Sequence, residues 1–210
     1  MNDKNLISRI EKKLSNGLPG REAQLKMAAH AARSGYLIAP TDAHRAGVLA
    51  LFYPKLSDWH IVLIERGSSN PNDRHRGQIS FPGGRYEEED QHISNTALRE
   101  TEEEVGVDAS QVQLLGPLTD LYIPVSNFKV DPFVGFTETT PKFIPQEDEV
   151  QNILEVPVSE LIRPENLKMK HLVVREGFTL KDVPYFHLMN KTVWGATAMM
   201  LSELIEVIKR

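Results

Sequence analysis

The chain has 210 residues, 40% of them hydrophobic, enough to bury one good core. It contains no cysteine, which excludes disulfides, thiolate metal sites and cysteine nucleophiles. A net charge of −5 argues against a general nucleic-acid binder, and no apolar run resembles a signal peptide or reaches the length of a membrane span, so a cytoplasmic protein is expected.

Residues 1–35 read as two helices. Leu6, Ile7, Ile10 and Leu14 form an apolar stripe that Asn16-Gly17 through Pro19-Gly20 breaks, and a second helical segment runs from Arg21 to Arg33. This extension reads as a packing or oligomerisation appendage on a domain spanning 36–210, which leaves a homodimer open. Ala46 to Tyr53 reads as a buried strand and Trp59 to Ile64 as a second, with Pro54 to Asp58 as their turn. Beyond Arg66, the Gly-, Ser-, Asn- and Pro-rich run to Ser80 is a loop.

Phe81-Pro82-Gly83-Gly84 reads as a turn, and Asp90 or Ser94 can cap a helix that continues to about Val105 and closes on Gly106. Glu100, Glu103 and Glu104 sit at i, i+3 and i+4 on that helix, so three carboxylates share one face, read as facing solvent, while Leu98, Thr101 and Val105 fall on another. Crowded carboxylates repel one another unless a cation sits among them, and all-oxygen ligands suit Mg²⁺ or Mn²⁺. Residues 66–86 carry Arg66, Arg74, Arg76 and Arg85 against one aspartate, a net +3, whereas residues 87–104 carry a net −7. A cationic loop beside an acidic metal-binding helix suits a polyphosphate, whose oxygens the arginines grip while the metal neutralises the bridge under attack.

Downstream, Val112–Leu118, Leu121–Val125 and Val130–Thr137 read as strands, with Pro124 and Pro132 at edges or bulges. An acidic loop at 145–150 follows. Val158–Ile162 reads as a short helix, 167–189 as two strands joined at 175–177, and the segment from Trp194 to Ile208 as a closing helix. The seven histidines show no zinc-ligand spacing.

Gly84…Arg99-Glu100-Thr101-Glu102-Glu103-Glu104-Val105-Gly106-Val107 resembles the Nudix box, whose second half reads R-E-U-x-E-E-x-G-U with U apolar. Thr101 stands at an apolar position, and the first half is one residue off register, with Asp90 in place of the usual glutamate. Arg66, the basic loop and Gly77-Gln78-x-x-Phe81-Pro82-Gly83-Gly84 resemble the signature of the coenzyme A pyrophosphatase branch of that family. The resemblance implies an α/β (α+β) fold with a mixed sheet between helices and the box as loop-helix-loop. It implies Glu100 and Glu104 as metal ligands, Glu103 as a third ligand or as the group that orients water, and Glu149, with Glu147 behind it, as a distal ligand or general base. Arg66, Arg74 or Arg76, Gly77, Gln78, Gly83 and Gly84 are the implied substrate contacts, and Arg99 is expected to lock the box turn through an acidic partner. The implied reaction is hydrolysis of the diphosphate of coenzyme A or an acyl derivative, a small-molecule partner. ADP-ribose or another dinucleotide is the alternative substrate, and a silent nucleotide sensor the alternative class.

Overall fold

A computed structural model describes residues 5–29, 38–68, 75–175 and 178–209. Helices α1 (Leu6–Ser15) and α2 (Gly20–Leu25) precede the hairpin β1 (His44–Lys55) and β2 (Asp58–Arg66). Two short strands, β3 (Ile79–Ser80) and β4 (Gly83–Arg85), lead into a 3₁₀ turn at Glu88–Asp90 and helix α3 (Ile93–Val105). After β5 (Gln113–Pro117), β6 (Leu121–Ile123), β7 (Phe128–Phe136) and β8 (Val150–Pro157) come α4 (Val158–Leu161), β9 (Leu167–Arg175), β10 (Phe178–Leu188), β11 (Lys191–Val193) and α5 (Gly195–Lys209).

Alternation along β1 and β2 builds two layers on one sheet. Leu49, Leu51, Tyr53, Val62 and Ile64 are fully buried on one face, where Ala97 and Val105 of α3 meet them. Ala50, Phe52, Ile61 and Leu63 point to the other face and join Leu201 and Leu204 of α5, Leu6 and Ile10 of α1, and Met27. A side chain of this size contributes roughly 1.5–3 kcal/mol when fully buried, so each face is a substantial core in its own right. The sheet is mixed: β1 runs parallel to β7 and antiparallel to β2 and β4, and β8 lies along β2. A separate three-stranded sheet runs β11-β10-β9. Helices thus cover both faces of a mixed sheet, as expected.

Local readings fail where tertiary contact overrides them. The second helix stops at Leu25 instead of running to Arg33, and 30–33 lie outside the described residues. Gly83 and Gly84 lie in β4, paired with Val48 and Gly47, and do not form a free turn. Pro132 sits in an interior strand, where β7 changes outer partner from β6 to β5, not at an edge. Strand β11 carries only three residues and escapes pattern reading. Buried Glu203 of α5 accepts hydrogen bonds from Gly20 N (3.1 Å), Gln24 Nε2 (2.9 Å) and Thr119 Oγ1 (2.7 Å), tying the N-terminal helices to the main core. Among the described residues no helix is long and apolar enough to cross a membrane.

Candidate functional site

Helix α3 is drawn onto the sheet by glycines. A Cβ on Gly47 of β1 would lie 2.5 Å from the Ile93 carbonyl oxygen, so only glycine lets the first turn of α3 approach so closely. A Cβ on Gly84 would lie 2.5 Å from the Glu100 carboxylate, and one on Gly83 would collide with the backbone of β1. The helix entry is then knotted by Asp90. Its buried carboxylate takes Arg99 Nε at 2.8 Å and Nη2 at 3.1 Å, Thr96 Oγ1 at 2.7 Å and Glu87 N at 3.0 Å. The Arg99 guanidinium foremost holds this carboxyl well below the usual carboxylate range. Arg99 also donates to the Arg85 carbonyl at 3.1 Å, so it locks the turn as expected. At the far end Gly106 adopts φ +73° and closes the helix.

The three glutamates of α3 occupy three different environments. Glu104 is not solvent-facing: its side chain is 2% exposed, because α3 lies so close to the sheet that this position turns inward. Its Oε2 accepts from Gly83 N at 2.8 Å and its Oε1 lies 3.7 Å from Arg66 Nη1. Burial raises its pKa to about 7, helped by Glu100 and Glu149 and opposed by the Gly83 amide and Arg66. Glu100 is 14% exposed, also against a solvent-facing reading, and burial pushes its carboxyl up despite Arg99 Nη1 at 3.0 Å. Glu103 is 51% exposed and shares the same Arg99 nitrogen at 3.0 Å.

Glu149 is exposed at the start of β8, and its charge raises both Glu100 and Glu104. Its segment is held by backbone bonds, Gln146 N to Glu104 O at 3.0 Å and Gly67 N to Glu149 O at 2.7 Å. Glu147 is exposed too, in the same acidic loop. Among the described residues no three acidic or histidine side chains converge into a ready cage, since Arg99 draws Glu103 and one oxygen of Glu100 to itself. The donor set still fits a hard divalent cation: two carboxylates one turn apart, whose pKa values burial foremost raises, and a cation beside them favours their ionised forms.

The basic loop closes at its neck, where Arg66 N donates to the Gln78 carbonyl at 2.9 Å and Gly77 N to the Arg66 carbonyl at 2.8 Å. Gly77 takes φ +75° there. Arg66 is brought to the carboxylates. Arg76 instead lines a cavity of about 310 Å³ with Gln78, Lys170, Lys191 and Trp194, and Arg74 lies outside the described residues. Sequence reading misses Gly47, whose signal is a glycine inside an apolar strand. It also misses Lys170 and Lys191, which carry no local signal at all.

A family model described as the NUDIX domain matches residues 43–176, from the start of β1 to the end of β9. The Nudix hydrolase NudL of Pectobacterium atrosepticum, called uncharacterized, is 37% identical over 146 residues, covering 68% of this chain and 72% of that protein. Its counterpart in Yersinia pestis is 35% identical over 137 residues, covering 64% and 66%, so the chain spans about two thirds of the length of that relative. Among solved structures, the MutT protein of Methanosarcina mazei is 14% identical with a TM-score of 0.49, covering 80% of this chain and 95% of that one. The matched span takes in the mixed sheet, its glycine-drawn helix and the glutamates that helix carries, and by it the chain belongs to the Nudix hydrolase family.

Proposed function

We propose that the protein is a divalent-metal-dependent diphosphatase that cleaves coenzyme A or an acyl derivative into adenosine 3′,5′-bisphosphate and (acyl-)4′-phosphopantetheine. One observation carries the reading: the Glu100–Glu104 pair stands directly beside the neck of a basic loop, with Arg66 3.7 Å from Glu104. Cation-seeking and anion-seeking groups adjoin, which is what a metal-bound diphosphate requires. The choice of coenzyme A rests on Arg66 and the run from Gly77 to Gly84, which resemble the coenzyme A pyrophosphatase signature.

Glu100 and Glu104 would hold Mg²⁺ or Mn²⁺, with Glu103 as a third ligand or as the group that orients water. Bound there, the ion neutralises the diphosphate and makes the attacking water more acidic. Arg66 grips a non-bridging phosphate oxygen, and the Gly83-Gly84 strand seats the two carboxylates, Gly83 N donating to Glu104 and the bare Cα of Gly84 making room for Glu100. Glu149 takes the proton from water as its oxygen adds to one phosphorus; the bond from that phosphorus to the bridging oxygen breaks, and the bridge leaves on the other product's phosphate. Asp90 and Arg99 orient the helix and touch no reacting atom.

The test is product analysis with Mn²⁺ on coenzyme A, NADH and ADP-ribose. Coenzyme A is expected to turn over fastest and to yield the two named products. Faster cleavage of ADP-ribose removes the coenzyme A assignment and keeps the diphosphatase. No turnover of any of the three overturns the enzymatic reading in favour of a nucleotide-binding protein.

A further inference from the structure

We propose that the cavity between the loop neck and the β9–β11 sheet is a subsite for a second phosphate of the substrate, a phosphomonoester carried on the nucleoside away from the bond that is cut. The inference deepens the diphosphatase reading and rests on it. The cavity, about 310 Å³, has Arg76, Lys170 and Lys191 in its wall and no carboxylate there, in a chain of net charge −5. Three lysines elsewhere are ion-paired: Lys26 with Glu206, Lys55 with Glu155 at 2.7 Å and Lys129 with Asp120 at 3.6 Å. Arg76 and Lys170, by contrast, meet no carboxylate among the described residues, and only Lys191 shares one, Glu65 at 2.7 Å.

Lys170 is also held in place. Its Nζ donates to Thr192 Oγ1 at 2.7 Å and stands 4.9 Å over the Tyr185 ring, so its charge is aimed before any ligand arrives. Half-buried Trp194 adds an apolar wall against which a sugar or base can rest. The cavity adjoins the candidate centre. Glu65 and Arg66 are successive residues of β2 and point to opposite faces, one reached by Lys191 and the other reaching Glu104. Gly77 and Gln78, which line the cavity, are hydrogen-bonded to the Arg66 backbone. A ligand held by both Arg66 and Arg76 therefore crosses only the loop neck.

Titration calorimetry of the full chain with adenosine 3′,5′-bisphosphate, adenosine 2′,5′-bisphosphate and adenosine 5′-monophosphate tests the subsite without turnover. One bisphosphate is expected to bind at least about tenfold more tightly than the monophosphate, as a charge-assisted phosphate contact implies, and the favoured isomer identifies which phosphate is read. Lys170→Met, which keeps the stem over Tyr185, and Arg76→Ala should each abolish most of that gain, while Lys170→Arg retains it. In kinetics, the ratio of kcat/KM for coenzyme A over 3′-dephospho-coenzyme A should fall about tenfold in Lys170→Met. Bisphosphates binding no better than the monophosphate, or a gain that survives both substitutions, overturns the subsite. A binding gain without hydrolysis of any diphosphate keeps the subsite and overturns the diphosphatase reading instead.

Discussion

Asp90 and Glu104 are two buried carboxylates of one box, at opposite ends of α3, and they are treated in opposite ways. Both side chains are nearly inaccessible, 4% and 2% exposed. Asp90 receives two hydrogen bonds from a single guanidinium, one from a hydroxyl and one from a backbone amide, and its pKa is driven down. Glu104 receives one amide, with Arg66 beyond hydrogen-bonding reach and two further glutamates as neighbours, and its pKa is driven up to about 7. Side-chain exposure is alike in both, but burial dominates at Glu104 and the Arg99 hydrogen bonds dominate at Asp90: a carboxylate with all its bonds made is scaffold, and one buried without them is a group awaiting a ligand.

The contrast is broken first at the upper extreme. Glu104→Gln and Glu100→Gln should each lower turnover with Mn²⁺ by at least about 10²–10³-fold, while the metal-free fold stays intact and Glu104→Gln raises its Tm. Near-parental turnover at saturating metal, in a folded variant, removes these residues from the centre. Asp90→Asn should act on the fold instead, costing about 3 kcal/mol in urea unfolding, the low end for a broken buried pair because Arg99 keeps Glu100 and Glu103. A variant as stable as the parent would make the knot ornamental.

Glu149→Gln separates the exposed distal carboxylate from both. About 10²-fold is expected in kcat, with much less in KM, as loss of a base implies. An unchanged kcat, with Glu147→Gln impaired, would move the role two residues upstream.

The smallest effect is in the pH dependence of the metal-free protein, and the two carboxylates give it opposite signs. Glu104, with its folded pKa raised, binds a proton that the unfolded chain has lost, so stability falls as pH rises from about 4.5 to about 7, by roughly 1–3 kcal/mol. Asp90, with its folded pKa depressed, contributes stability that is present above its unfolded value near about 4 and is lost below it. Tm measured in chelator across this range should therefore peak between about pH 4 and 5. Glu104→Gln should flatten the falling limb and Asp90→Asn the acid limb; limbs that stay in both variants would assign the titrations to other groups.

Much of this protein is legible in the chain alone, because helical spacing and strand alternation are local. The run from Arg99 to Gly106 places Glu100 and Glu104 one turn apart whatever surrounds them, and the near-continuous apolar runs from Ala46 to Tyr53 and from Trp59 to Ile64 read as buried strands. The charge reversal between 66–86 and 87–104 likewise announces a cation site beside an anion site. Burial is another matter. A carboxylate at i+4 reads as solvated until a neighbouring strand without side chains lets the helix sink, and Gly47, Gly83 and Gly84 are what bring Glu104 inside. The partner of Arg99 depends on a 3₁₀ turn that brings Asp90, and not Gln91, underneath it. Lys170 and Lys191 meet Arg76 only because a three-stranded sheet folds back against the loop neck, about a hundred residues along the chain from Arg76. Local pattern specifies which groups a chain carries; the pKa values and neighbours of those groups follow from long-range contacts that no local pattern encodes.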